Sequence, residues 1–422
     1  MLLSFSVGNF LSIKEMQTLD LQASKKRPKY SFLNESVIDV LGDPSALAAK
    51  VIYGANGSGK TNLIIALSAF IKIATESLQN TKALHYIQPF LLDGKTIEEP
   101  SFFEIELADE EMIYRYGFEA DRSGIHMEWL YGRTDNKEYR FFERTGLEVN
   151  SNEEQFPEGN KILYGLSPHS KTLRSNSLFL GLGAAFNSDL LSKVLNAISG
   201  IVVLRGVLDP ETKQKAYDSL KSKDNRKVLL DFLKKVDILP EDILHSKEGK
   251  GKDIAGEAIK QIIDDKNRDI LFAYKYHNTL TERDEQVAWP IELNESAGTQ
   301  RLVVIAPFII SAITTGDTLV IDEFESRLHT NISRAIIELF TAKDTNPNGA
   351  QLIVATHDTN LLTSSLLRRD QISFVEKMEN GSSEIYSLSD IKGIRNDDSY
   401  EKKYLAGNYS GVPNIDRLKI PN

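Results

Sequence analysis

Gly54-Ala55-Asn56-Gly57-Ser58-Gly59-Lys60-Thr61 is the stretch on which the reading of this 422-residue chain turns. It fits the P-loop pattern, follows the mostly apolar run 48–53, and opens residues 62–73, whose composition predicts a helix. Glycines let the backbone curl so that successive N–H groups point inward at phosphate oxygens, and the helix N-terminus adds a favourable dipole. In that setting Gly54, Asn56, Gly57, Ser58, Gly59 and Asn62 are expected to line a phosphate cradle. Lys60 would neutralise the β- and γ-phosphates and the Thr61 hydroxyl would ligate Mg²⁺. The expected ligand is therefore a nucleoside triphosphate with its metal.

Working outward, 41% hydrophobic and 26% charged residues are the proportions of an ordinary globular protein, and the length suits one large or two modest domains. The net charge of −10 argues against a uniformly basic surface that coats nucleic acid, while leaving room for a local basic groove. The absence of cysteine removes disulfides, thiolate zinc sites and cysteine nucleophiles. Met1-Leu2-Leu3-Ser4-Phe5 shows no basic segment before an apolar one, and the apolar run 302–313 is short and contains Pro307. A cytoplasmic protein with no membrane partner is expected.

Residues 2–13 read as an edge strand and turn. From 101 to 142 the chain alternates: Phe103, Ile105 and Leu107 on one strand, Tyr114, Tyr116 and Phe118 on another, and 138–142 as a third, an antiparallel meander. Helical patterning follows. Leu190, Leu191, Val194, Leu195 and Ile198 form an amphipathic stripe, and 213–236 reads as a further charged helix. Residues 245–253 read as a lysine-rich loop. Strand-like runs return at Thr318–Ile321 and Gln351–Ala355. The expected organisation is an α/β nucleotide domain in two pieces, 1–150 and 291–422, flanking a mainly helical insertion at 151–290.

Thr318-Leu319-Val320-Ile321-Asp322-Glu323 is an apolar strand ending in two acids. Asp322 is placed to hold the metal, and Glu323 to polarise the water that attacks the γ-phosphate. Val354-Ala355-Thr356-His357 ends a second strand, where His357 would touch the γ-phosphate or its water. Upstream, Asn294-Glu295-Ser296-Ala297-Gly298-Thr299-Gln300-Arg301 opens the apolar run 302–313. Ser296 with small residues at a helix start reads either as a second anion cradle or as a plain N-cap.

The order of P-loop, Ser296-Ala297-Gly298, acidic strand, Ser326-Arg327-Leu328-His329 and Thr356-His357 resembles the ABC-type ATPase heads of the SMC and recombination-repair class. More narrowly it is similar to bacterial AAA-type ATPases with ABC topology, found in OLD-family nucleases and anti-phage systems, with PARIS-type ATPase subunits the nearest kind. Asn9-Phe10-Leu11-Ser12-Ile13 and Gly407-Asn408-Tyr409-Ser410-Gly411-Val412-Pro413 share in that likeness. The resemblance implies an ABC-type head: a mixed sheet with flanking helices, a β-meander and an inserted helical lobe. It implies ATP and Mg²⁺ as cofactors, with Lys60, Thr61 and Asp322 on phosphate and metal. It further implies Glu323 as the base, His357 as the γ-phosphate switch, and Ser296 and Gly298 meeting the nucleotide of a second copy. Residues 326–329 would couple the two sites.

Ala297 and Glu295 stand where transporters carry glycine and leucine, and the glutamine that usually joins the metal is not obvious; Gln88 is chosen for it. The partners expected are the chain itself, as a dimer or larger ring, a separate effector such as a nuclease, and a phage-derived trigger. A DNA-repair head binding duplex DNA is the alternative, with the acidic balance and the absence of long heptad arms against it. A self-contained nuclease needs a further domain, and the stretch after His357 is roughly half that length.

Overall fold

The computed structural model describes residues 1–26, 28–40, 45–134, 137–164, 173–206, 210–245, 270–395 and 398–413. Its centre is a six-stranded sheet in the order β11-β15-β16-β5-β17-β18. These strands are β5 (Ala49–Tyr53), β11 (Ile201–Leu204), β15 (Thr318–Ile321), β16 (Gln351–Ala355), β17 (Ile372–Lys377) and β18 (Ser383–Ser387). The first five run parallel, and β18 returns antiparallel beside β17. Every residue of β5, β15 and β16 is buried, which is why each reads as a continuous apolar run rather than an alternating one. Their residues still divide by face. Ile52, Val320, Ile353 and Ala355 join one core, and Val51, Tyr53, Leu319, Ile321, Leu352 and Val354 the other.

The first core is closed by a seven-stranded antiparallel sheet in the order β10-β9-β8-β7-β6-β1-β2. It comprises β1 (Leu2–Gly8), β2 (Gln17–Asp20), β6 (Ser101–Ala108), β7 (Ile113–Ala120), β8 (Ile125–Thr134), β9 (Lys137–Thr145) and β10 (Glu148–Ser151). A two-strand pair, β3 (Val37–Ile38) and β4 (Ala46–Leu47), forms its own small sheet, joined to the chain after β2 by the Gln22–Ala46 bridge. The helix Lys60–Glu76 lies in this core: Phe70 stacks on Phe118 at 5.5 Å and meets Phe5 edge-on at 5.8 Å. The second core is filled by the helices Ala297–Thr315 and Thr330–Thr341, through Leu302, Ile305, Ile309, Ile336 and Phe340. The α/β, two-sheet, P-loop head expected from the sequence is the fold observed.

Four expectations change. β1 is no edge strand: it is buried throughout and pairs with both β6 and β2. Among its described residues, segment 151–290 is not a separate helical lobe. Its Ile201-Val202-Val203-Leu204 is a strand of the central sheet beside β15, and its last part forms a three-stranded sheet of β12 (Asp242–His245), β13 (Ile270–Asn278) and β14 (Arg283–Pro290). A four-residue apolar run has no period by which to separate strand from helix. The stretch 213–236 is two helices, Pro210–Ser219 and Lys223–Lys235, the second restarted by the Ser222 cap on Asn225 N–H. The apolar run 302–313 extends to a 19-residue helix, Ala297–Thr315, long and apolar enough by length and composition to cross a membrane. Here it is the core helix, with Arg301, Leu302, Val303 and Ile305 buried. Of the expected loop at 245–253, residues 246–253 lie outside the described ones.

One buried polar joint ties the meander to segment 151–290. Glu128 on β8 pairs with Arg144 on β9 at 3.1 Å, both side chains fully buried. The same carboxylate accepts from Phe179 N–H at 2.7 Å, Leu180 N–H at 2.9 Å and Tyr116 Oη–H at 3.0 Å. Four donors thus replace its lost hydration, two of them from the first turn of the helix Phe179–Ala185.

Candidate functional site

Parallel strands put their C-terminal ends on one edge of the sheet, and ligands bind in the crevice beyond that edge. β5 ends at Gly54, β16 beside it ends at Thr356-His357, and β15 next along ends at Asp322-Glu323. They share a cleft of about 360 Å³ lined by loop residues 56–62, Asp322, Glu323 and 355–357. Of the residues expected at the site from the sequence, Asn56, Gly57, Ser58, Gly59, Lys60, Thr61, Asn62, Asp322, Glu323 and His357 are therefore brought together.

Two of the loop's glycines, Gly54 and Gly59, answer to crowding from distant chain. A Cβ at Gly54 would collide with the Val375 carbonyl of β17. Gly59 takes φ +112°, and a Cβ there would strike the Ser383 and Ser12 hydroxyls. Those two serines form the loop's support. Ser383 Oγ donates to Ser58 O at 2.6 Å and lies 2.8 Å from Ser12 Oγ, while Ser383 N–H donates to Ser12 O at 2.7 Å. Asn62, expected at the ligand, lines the cleft and also donates from Nδ2 to Ser12 Oγ at 2.7 Å.

The arrangement fits a triphosphate and its metal. The helix Lys60–Glu76 begins at Gly59 without any side-chain cap, leaving its first N–H groups for an anion. Ser58 Oγ is buried without a partner among the described residues. Lys60 Nζ, 7% exposed, donates to Gly54 O at 2.7 Å and Ala55 O at 3.1 Å, so the charge is held at the mouth of the loop. Burial lowers its ammonium to about 8, against the raising pull of Asp322 and Glu325. Thr61 is exposed toward the cleft and Asp322 is buried beside it. Among the described residues no three acids or histidines gather as a metal cage. Mg²⁺ needs only one or two protein ligands when phosphate oxygens and water complete its shell. Bound there, it would neutralise charge on the β- and γ-phosphates.

Glu323 follows Asp322 at φ +48°, unusual for a residue with a side chain, and its N–H donates to Asp322 Oδ1 at 3.0 Å. Its side chain is exposed at the cleft. His357 is exposed, and its N–H is held by Glu325 Oε1 at 2.9 Å while Glu325 Oε2 accepts from Thr356 Oγ1 at 2.7 Å. Partial desolvation of the ring at the cleft first, then the Lys60 charge, push the imidazole below its ordinary value; Glu325, Glu323 and Asp322 pull the other way. A neutral ring at pH 7 can accept a proton or a hydrogen bond.

The serine turn stands apart. Ser296 caps the helix Ala297–Thr315, its Oγ accepting from Thr299 N–H at 3.1 Å, so the N-cap reading holds. Ser296 and Ala297 are nonetheless exposed, and neither lines the 360 Å³ cleft. A Cβ on Gly298 would sit 2.5 Å from Arg327 O, so the helix start is pressed against loop 326–329. Glu295, the departure from the transporter pattern, accepts from Tyr274 Oη–H at 3.0 Å and Trp289 Nε1–H at 2.9 Å and anchors the turn to β13 and β14.

Gln88 does not line the cleft. Its side chain is exposed and its carbonyl accepts from Leu11 N–H at 2.8 Å, so it holds the 9–13 turn beside the loop. Ser12, Ser383 and Glu325 were missed as site residues. For Glu325 a signal existed: it follows Glu323 at the two-residue spacing that returns a side chain to one side of an extended chain.

No curated protein matches the chain. Among solved structures it is similar to the SMC head domain from Thermotoga maritima, with 14% identity over 92% of this chain and 98% of that one, at a TM-score of 0.39. The family described as "AAA domain, putative AbiEii toxin, Type IV TA system" matches residues 51–363, a span that holds the phosphate loop, the acidic strand and His357; the chain belongs to this family of AAA domains.

Proposed function

We propose that the chain binds ATP with Mg²⁺ in the 360 Å³ cleft and hydrolyses it between two copies, each closing the other's cleft with its Ser296 turn. The roles follow from placement. Lys60 and the loop N–H groups hold the phosphates, Thr61 and Asp322 support the metal, Glu323 activates water, and His357 faces the γ-phosphate. The observation that carries this reading is the separation of the phosphate loop from the serine turn: Ser296 and Ala297 are exposed and neither lines the nucleotide cleft of its own chain. A helix start so placed can serve an anion only from another molecule.

The test mixes two defective chains. Ser296→Arg keeps a working P-loop with a spoiled turn; Lys60→Ala keeps the turn and cannot bind ATP. Together they are expected to hydrolyse ATP faster than the sum of the two alone. A mixture no more active than that sum, with mixed assemblies shown by differential tagging, overturns the intersubunit site.

The same reading extends to a setting. The ATPase is the sensor or scaffold of an anti-phage defence system, holding a separate effector, such as a nuclease, under nucleotide control. Support comes from the family's description, which names a toxin of a type IV toxin–antitoxin system, a two-component arrangement. A co-transcribed nuclease gene is the expected neighbour, and a membrane permease gene in that place would overturn it.

A further inference from the structure

The helix that carries Ser296 is wired to the backbone of Glu323 in its own chain. Arg301 lies five residues along from Ser296, about one and a half turns, and is 4% exposed. Its planar fork is spent on two carbonyls: Nη1 donates to Gly206 O at 2.8 Å and Nη2 to Glu323 O at 2.7 Å. Glu323 is thus gripped at both ends of its backbone, by Asp322 Oδ1 on the N–H and by Arg301 on the carbonyl. That double hold sits on the residue whose φ of +48° needs outside support.

Gly206 completes the clamp. A Cβ there would lie 2.6–2.7 Å from the Glu323 side-chain carbons, so the glycine leaves the space that the carboxylate stem occupies. Glu323 also lines a second cleft of about 440 Å³, on the side of Arg301, Gln300 and Arg327, as well as the nucleotide cleft. It forms the wall between the serine helix and the phosphate loop.

We propose that Arg301 is a positioning residue that transmits the state of the Ser296 turn to Glu323 of the same chain. A neighbour's nucleotide docking on the turn seats the helix, and through the guanidinium fork seats the water-activating carboxylate. Each site then runs about tenfold faster when the adjacent site is loaded, and an assembly with one loaded site keeps a reduced rate. This rests on the intersubunit reading above and adds to it a direction of coupling within one subunit.

Arg301→Lys tests it, because one ammonium nitrogen cannot reproduce the fixed spacing of Nη1 and Nη2 on two carbonyls. The variant is expected to bind ATP within about twofold of wild type and to lose about tenfold or more in kcat with little change in KM. Gly206→Ala displaces Glu323 from the opposite side, should give the same split, and carries the test if Arg301→Lys fails to fold. The coupling itself is read by diluting active subunits into excess Lys60→Ala chains. Wild-type subunits should lose rate per site, because their own serine turn now faces an empty neighbour; Arg301→Lys subunits should show no further drop. A folded Arg301→Lys protein with wild-type kcat, or with the wild-type dilution loss, overturns the proposal. If Ser296→Arg still behaves as a trans defect, such a result leaves the intersubunit site standing.

Discussion

Glu325 grips the backbone of His357: its Oε1 accepts from the His357 N–H at 2.9 Å while Oε2 accepts from Thr356 Oγ1 at 2.7 Å. Both oxygens are needed, and both face donors. A glutamine has one acceptor oxygen and would turn an NH₂ group toward one of those donors. Glu325→Gln is expected to lower kcat by about tenfold with ATP affinity little changed, since the phosphate-holding loop is untouched. Steady-state kinetics beside a nucleotide titration checks it; an equal loss of affinity would place Glu325 in binding instead.

Lys60 gives binding its pH dependence. Burial holds the ammonium at about 8, and a bound triphosphate favours the charged form. Binding is then at full strength below that value and must take up a proton above it. The Kd for ATP should stay flat from neutral pH to the mid-sevens and rise by about tenfold per unit well above 8. His357, already below its ordinary value, should bring in the acid limb of hydrolysis only under acidic conditions. Equilibrium titrations across pH 6.5–9.5 decide the first point. An affinity that does not weaken at high pH would remove Lys60 from the phosphates.

Removing the charge of Glu128 leaves Arg144 fully buried without its counter-ion. It also weakens acceptance from Phe179 and Leu180 N–H at the start of a helix. Glu128→Gln should cost about 3–5 kcal/mol, read as a fall in urea midpoint. The loss should be smaller when Arg144→Met is added, because the orphaned charge is then gone.

The phosphate loop, the acidic strand and the Thr356-His357 strand end were legible because each is a local pattern with its own chemistry. The fold class followed, since β5, β15 and β16 are buried on both faces and read as apolar runs. What stayed hidden depends on pairing across the chain. Ser12 and Ser383 meet under the loop from 371 residues apart, and nothing in either neighbourhood announces the other. β8 was obscured by a reversed pattern, with Glu128 buried and Met127 exposed. β11 was too short to show a period, so segment 151–290 read as a lobe apart. Gln88 has no local pattern that fixes its role, and the structure uses its carbonyl to hold Leu11 N–H.

Val375 presses on Gly54, and Ser383 props Ser58, although the loop itself belongs to the first sixth of the chain. A polypeptide still leaving the ribosome therefore carries the phosphate-binding motif for most of its synthesis without the scaffold that shapes it. The shape the phosphate loop takes here therefore waits for β17 and β18 to emerge and dock, so on the proposed function any hold on nucleotide by this cleft is expected late in synthesis.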